Sequence, residues 1–145
     1  MADHSPTDSV LSVPSPETAR RARTHTALFH LAERHANSDE ARARLVNAHM
    51  AGPHEVVRSV AYLAAGSADY LTDEPHVDAD DLSAALTLVP ELRGELDELE
   101  IGLVEMARGR GMTWAEVAFA LGLGSAQGAH QRHDRLSQRR DEAAE

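Results

Sequence analysis

Apolar residues recur at three- and four-residue spacing through most of the chain, and no stretch alternates convincingly in twos. The pattern therefore predicts helices and no sheet. A first helix is expected over 17–36, with Ala22, Leu28, Phe29, Ala32 and Ala36 roughly on one side. Ser38 resembles an N-cap for a second helix running to Met50 and carrying Leu45 and Val46. Gly52-Pro53 stops that helix and starts a third, because proline suits the first helical turn. Its apolar positions are Val56, Val57, Val60, Leu63, Ala64 and Leu71. Residues 72–81 form a polar, acidic, proline-containing linker, where the boundary between an N-terminal region (16–71) and a C-terminal unit (82–139) is expected. Beyond it, Ala85, Val89, Leu92, Leu96, Leu99, Leu103 and Met106 follow a 4-3-4-3-4-3 spacing. A seam of that kind buries one narrow stripe against another helix, either within the subunit or in a second chain. Pro90 interrupts it, so a break or kink is expected near Val89.

Local signals are densest near the C-terminus. Thr113 and Glu116 form a T-x-x-E capping box, with Met112 and Val117 placed as a hydrophobic staple. Gly122 is a natural left-handed cap after Leu121, so a two-turn helix is expected over about 114–121. Leu123 then sits as an apolar plug between two glycines, and Ser125 can cap a further helix over 125–138. On a helical wheel Ala126, Ala129, His133 and Leu136 share the inward face. Gln127, Gln131, Asp134, Arg135 and Gln138 point the other way. An amide- and guanidinium-bearing face opposite a small-residue face suits a helix lying in the major groove. Glutamine pairs with adenine there, and arginine with guanine or with phosphate.

The segment Thr113-Trp114-x-Glu116-Val117-Ala118-x-x-Leu121-Gly122-Leu123, followed by Ser125-Ala126-Gln127-Gly128-Ala129-x-Gln131-Arg132, resembles the helix-turn-helix of bacterial transcription regulators and sigma-factor-like domains. The resemblance covers about 92–136 if the preceding helix is the first of a three-helix core. It implies a transcriptional regulator whose recognition helix, 125–138, enters the major groove of double-stranded DNA. On that reading Gln127, Gln131 and Arg135 read bases, and Ser125, Arg132, Arg139 and Arg140 hold phosphates. A homodimer on a two-part site is the arrangement implied, with the N-terminal helices as its contact or as a protein-docking surface. Gly124 lengthens the usual turn by one residue, and Gly128 weakens the recognition helix by about 1 kcal/mol relative to Ala. No strand pair follows, so no wing is expected.

Charge changes the picture. The net charge of −10 opposes nucleic-acid binding until it is placed along the chain. Residues 77–106 hold nine acids and one Arg, whereas 107–140 hold six Arg and two acids. Phosphate attraction is local and is screened beyond about 10 Å at 0.1 M salt, so the distribution decides. All fourteen basic residues are Arg, which with the alanine content reads as a GC-rich bacterial genome. The absence of Cys excludes disulfides, thiolate metal sites and Cys nucleophiles, and fits a reducing, cytoplasmic compartment, within which the helix-turn-helix resemblance implies association with the nucleoid. No apolar run approaches a membrane span, and no secretory h-region is present near the start. Residues 1–15, rich in Ser, Pro and Asp, are expected to be disordered, and 140–145 to form a tail.

Other chemistry finds little support. His25, His30 and His35 recur every five residues and share no helix face, and His130 and His133 lack a third ligand, so the histidines are read as solvated or partly packed. The acidic run from Asp78 to Glu105 lacks calcium-loop spacing and reads as a solvated helix face, or as a surface that repels phosphate and so orients the molecule. No catalytic motif, cofactor loop or metal set emerges, and the chain is not read as an enzyme. The expected fold is all-α: an N-terminal helical region joined to a C-terminal three-helix unit. The competing function is a helical protein-interaction adaptor using the acidic, Leu-rich helix 90–106 or the N-terminal bundle.

Overall fold

The computed structural model describes residues 15–49 and 51–144, so the expected disordered stretch over 1–15 falls outside it except for Ser15, as does Met50. The described residues form six α-helices and no strand: α1 (Pro16–His35), α2 (Asp39–Arg42), α3 (Pro53–Ala65), α4 (Ala79–Gly109), α5 (Trp114–Ala120) and α6 (Ala126–Ala144). The chain divides into two compact units, Met1–Leu88 and Val89–Glu145.

In the first unit, α1 starts where the Ser15 hydroxyl accepts the Thr18 amide and Pro16 occupies the first turn. Its buried stripe is Ala27, Leu31 and His35 rather than the side carrying Ala22 and Phe29, and Phe29 lies largely in solvent. Ala27 and Leu31 join Val56 and Val60 of α3 and Ala84, Ala85 and Leu88 of α4 in one core. α2 is a single turn rather than a helix reaching Met50. Leu45 is only half-buried and Val46 is exposed, so no packed face supports a longer helix there. α3 ends at Ala65 and does not reach Leu71. Gly66 takes φ +76°, and the Ser67 amide reaches back to the Tyr62 carbonyl at 2.8 Å, closing the helix in a Schellman turn.

The boundary also moves. Residues 72–81 are not a linker but part of the first unit, because Glu74 and Asp81 are bonded to α1 side chains. α4 begins with reciprocal bonds in which the Asp78 carboxylate accepts the Asp81 amide and the Asp81 carboxylate accepts the Asp78 amide. It then runs unbroken past Pro90, where the division between the units falls. Pro90 is exposed, and buried residues on either side, Leu88 and Ile101, hold the helix against a local cost of about 3 kcal/mol.

The second unit packs Val104 of α4 with Val117 and Ala118 of α5 and Ala129 of α6, flanked by Ala107, Trp114 and Leu123. Ile101 and Leu136 are also buried. The inward side of α4 is therefore the Ile101–Val104 side. Small Ala118 and Ala129 allow close approach to Val104, and the 4-3-4-3 leucines are left facing out. α6 continues as helix to Ala144, so 140–144 are not a tail. One turn apart there, the Gln138 amide donates to the Glu142 carboxylate at 2.9 Å.

Candidate nucleic-acid interface

The segment that presents α6 is fixed from its own sequence. The Thr113 hydroxyl accepts the Glu116 amide at 3.2 Å, and the Glu116 carboxylate accepts the Thr113 amide at 2.6 Å, which completes the capping box. That amide, with the Thr113 hydroxyl, holds the Glu116 carboxyl below its ordinary range. Gly122 takes φ +69°, and the Leu123 amide returns to the Ala118 carbonyl at 2.8 Å, which turns Leu123 into the core. Ser125 then caps α6 by accepting the Gly128 amide at 3.0 Å. A Cβ at position 128 would stand 3.2 Å from that hydroxyl, so the glycine leaves room for the cap it accompanies.

α6 is two-faced. Ala129 and Leu136 are buried, and Ala126 and His133 are half-buried. Gln127, Gln131, Asp134, Arg135 and Gln138 are exposed. Gln127, Gln131 and Arg135 have no side-chain hydrogen bond or ion pair among the described residues, whereas Gln138 donates to Glu142. Asp134 is paired with His130 at 3.0 Å.

The other arginines are placed differently. Arg132 grips Glu100 of α4 with both edges of its guanidinium, from Nε and from Nη2 at 2.8 Å. That bond holds the Glu100 carboxyl below its ordinary range against the opposing effect of burial. Arg139 meets Asp97 at 3.2 Å. Arg140 meets Asp141 at 3.1 Å and Glu105 at 3.9 Å. The acidic run is thus not a uniformly solvated face, since three of its carboxylates meet α6 arginines. The local positive excess is also smaller than the linear count implies: Val89–Glu145 carries eleven acids and seven arginines.

Two clusters went unread in the sequence. Trp114, which opens α5, lies under the Arg108 guanidinium at 5.0 Å and edge-on to His130 at 4.7 Å. The first unit holds a buried polar network. Asp81 is fully buried and accepts from Arg34 at 2.7 and 3.0 Å; His30 and His35 lie against its oxygens at 2.8 and 3.3 Å. His35, itself buried, reaches Glu74 at 3.0 Å with its other nitrogen, and Arg44 donates to Glu74 at 2.7 Å. His35 is therefore a core group rather than a solvated one. Its i,i+4 spacing from Leu31 and Ala27 was the signal that could have found it. His30, Asp78 and Asp81 bring ligand atoms within 4.8 Å of one another, but Arg34 already bonds both carboxylates and supplies the positive charge there.

No family model, curated protein or solved structure matches the chain. No helix among the described residues is long and apolar enough to cross a membrane.

Proposed function

We propose that the second unit binds double-stranded DNA by laying α6 in the major groove, as a bacterial transcriptional regulator acting at the nucleoid. The observation that carries this reading is the row Gln127, Gln131 and Arg135: exposed, unpaired, and projected from a helix whose start is fixed by the Gly122 turn and the Ser125 cap. Bidentate amides and a free guanidinium are the groups that read base edges. Exposed ion pairs are worth at most about 1 kcal/mol, so Arg139 and Arg140 can exchange their acids for phosphate oxygens. Arg132 serves instead to hold α6 on α4, because its partner Glu100 is mostly buried.

A second reading is a protein-interaction adaptor. It is favoured by one observation, the outward-facing leucines of α4 within 90–106. Selection on random duplexes followed by salt titration separates the two. The DNA reading expects binding near 50 mM salt, with a slope that falls by about one ion for Arg139→Ala or Arg140→Ala and changes little for Arg132→Ala. It also expects Gln131→Ala to alter sequence preference more than affinity. The absence of duplex binding at that salt, or a slope unchanged by both Arg139→Ala and Arg140→Ala, leaves the adaptor.

A further inference from the structure

We propose, on the reading that α6 lies in the major groove, that Asp134 is a specificity-determining residue which selects cytosine at one position of the bound duplex. Asp134 follows Gln131 by three residues and Gln127 by seven, the spacings that share a helix face, so it enters the groove whenever they do. Its side chain is 62% exposed, and it is the one acid from Gln127 to Gln138. The carboxylate is positioned. His130 Nδ1, one turn earlier, lies 3.0 Å from Oδ2, and the His130 ring stands edge-on to Trp114 with centroids 4.7 Å apart. Trp114 is half-buried against Val104, Val117, Ala118 and Ala129, so the place of the acid is tied to the core of the second unit. As an i,i+4 surface pair alone, His130 and Asp134 contribute little to the helix. What the pair does is hold a negative charge among the base-reading groups, where phosphates repel it.

An ionised carboxylate only accepts hydrogen bonds, so it tolerates a base edge only where that edge donates. The donors on the major-groove floor are the exocyclic amines, N4 of cytosine and N6 of adenine. Adenine N6 stands beside the N7 lone pair, which repels a second carboxylate oxygen. Guanine presents two acceptors, and thymine an acceptor and a methyl group. Cytosine N4 stands beside C5–H, with no lone pair next to it. His130 already engages Oδ2, which leaves Oδ1 for one donor, and one donor is what cytosine offers. Any other base there sets acceptor against acceptor and strips water from the carboxylate without replacing it. Three residues advance a helix by about 4.5 Å. Side chains at about that spacing reach successive bases when a helix enters the groove as in zinc fingers, so the cytosine stands next to the base that Gln131 reads.

The test is selection on random duplexes with the full chain at about 50 mM salt, repeated for Asp134→Asn, Asp134→Ala and Gln131→Ala. The wild-type site should contain a cytosine beside the position that Gln131→Ala relaxes. Asp134→Asn should replace that cytosine by adenine, because a side-chain amide pairs with N6 and N7 together, and should leave the other positions as they were. Asp134→Ala should remove the preference there, lowering discrimination at least about fivefold. It should also tighten binding to random duplex about two- to fivefold, since a charge that phosphates repel is gone. Both variants should keep the wild-type far-UV circular dichroism, because the side chain is exposed. A wild-type site that keeps all its bases in both Asp134 variants overturns the proposal and leaves DNA binding standing. So does equal weakening on selected and random duplexes, the mark of a merely structural pair. Absence of wild-type duplex binding removes the proposal together with the reading beneath it.

Discussion

Replacing Asp81 by Ala removes the acceptor around which the first unit's polar network is organised. The carboxylate is fully buried and takes two hydrogen bonds from Arg34, with His30, His35 and the Asp78 amide completing its shell. Losing it leaves Arg34 Nε and one nitrogen of buried His35 without their partner, while Arg34 Nη2 keeps Asp78 and the His76 carbonyl. Breaking a buried pair from one side costs about 3–5 kcal/mol. The Arg34 side chain keeps about a quarter of its exposure, so water recovers part of its solvation and the lower end, about 3 kcal/mol, applies. The measurement is urea unfolding at pH 7 with two optical probes. Tyr62 and Tyr70, the two tyrosines, belong to the first unit, and Trp114, the single tryptophan, belongs to the second. The tyrosine-detected transition should move by the full amount and the tryptophan-detected one by less. Asp39→Ala is the control, because its pair with Arg42 is at the surface and is worth at most about 1 kcal/mol. A loss for Asp81→Ala no greater than the control would refute the reasoning that this network holds the unit together.

Acid should act through the same groups. Burial pushes the Asp81 and Glu74 carboxyls up, but bonds from Arg34, the Asp78 amide, His35 and His30 for Asp81, and from Arg44, His35 and the Leu71 amide for Glu74, outweigh it and leave both below their ordinary range. Their contribution is therefore complete above the ordinary carboxylate range and is lost as the pH falls through and below it, so tyrosine-detected stability should drop on acidification, less so in Asp81→Ala. Thr113→Ala should cost about 1 kcal/mol by tryptophan-detected unfolding, since it removes the α5 cap, and Gly122→Ala about 1–2 kcal/mol, because Ala resists the left-handed conformation. Ile101→Ala should cost about 2–5 kcal/mol, while exposed Leu99→Ala should stay within about 0.5 kcal/mol.

The C-terminal unit was legible because its signals are local. Thr113, Glu116, Gly122 and Ser125 each act on backbone groups within a few residues, and the structure places all four in those roles. The two faces of α6 were equally readable, since an inward row of Ala129 and Leu136 needs only the helical period. What the sequence did not disclose depends on partners distant in the chain. Arg132 looks like a free cation until Glu100, 32 residues earlier, is set beside it. His35 looks solvated until Glu74 and Asp81 fold over it. The leucine repeat of α4 suggests a buried seam, but periodicity does not say which side the rest of the subunit takes; Ile101 and Val104 took it, and the leucines from Leu96 to Met106 are exposed. Likewise Pro90 disrupts a helix in isolation, whereas buried residues before and after it keep α4 continuous.

The most direct test of the DNA reading is side-chain amide and guanidinium NMR on the full chain, titrated with a duplex recovered by selection at about 50 mM salt. With α6 in the major groove, the Gln127 and Gln131 amide protons and the Arg135 Nε proton shift together and saturate with one binding curve. Saturable binding that leaves those three resonances unmoved while perturbing the first unit or the α4 leucines would contradict it.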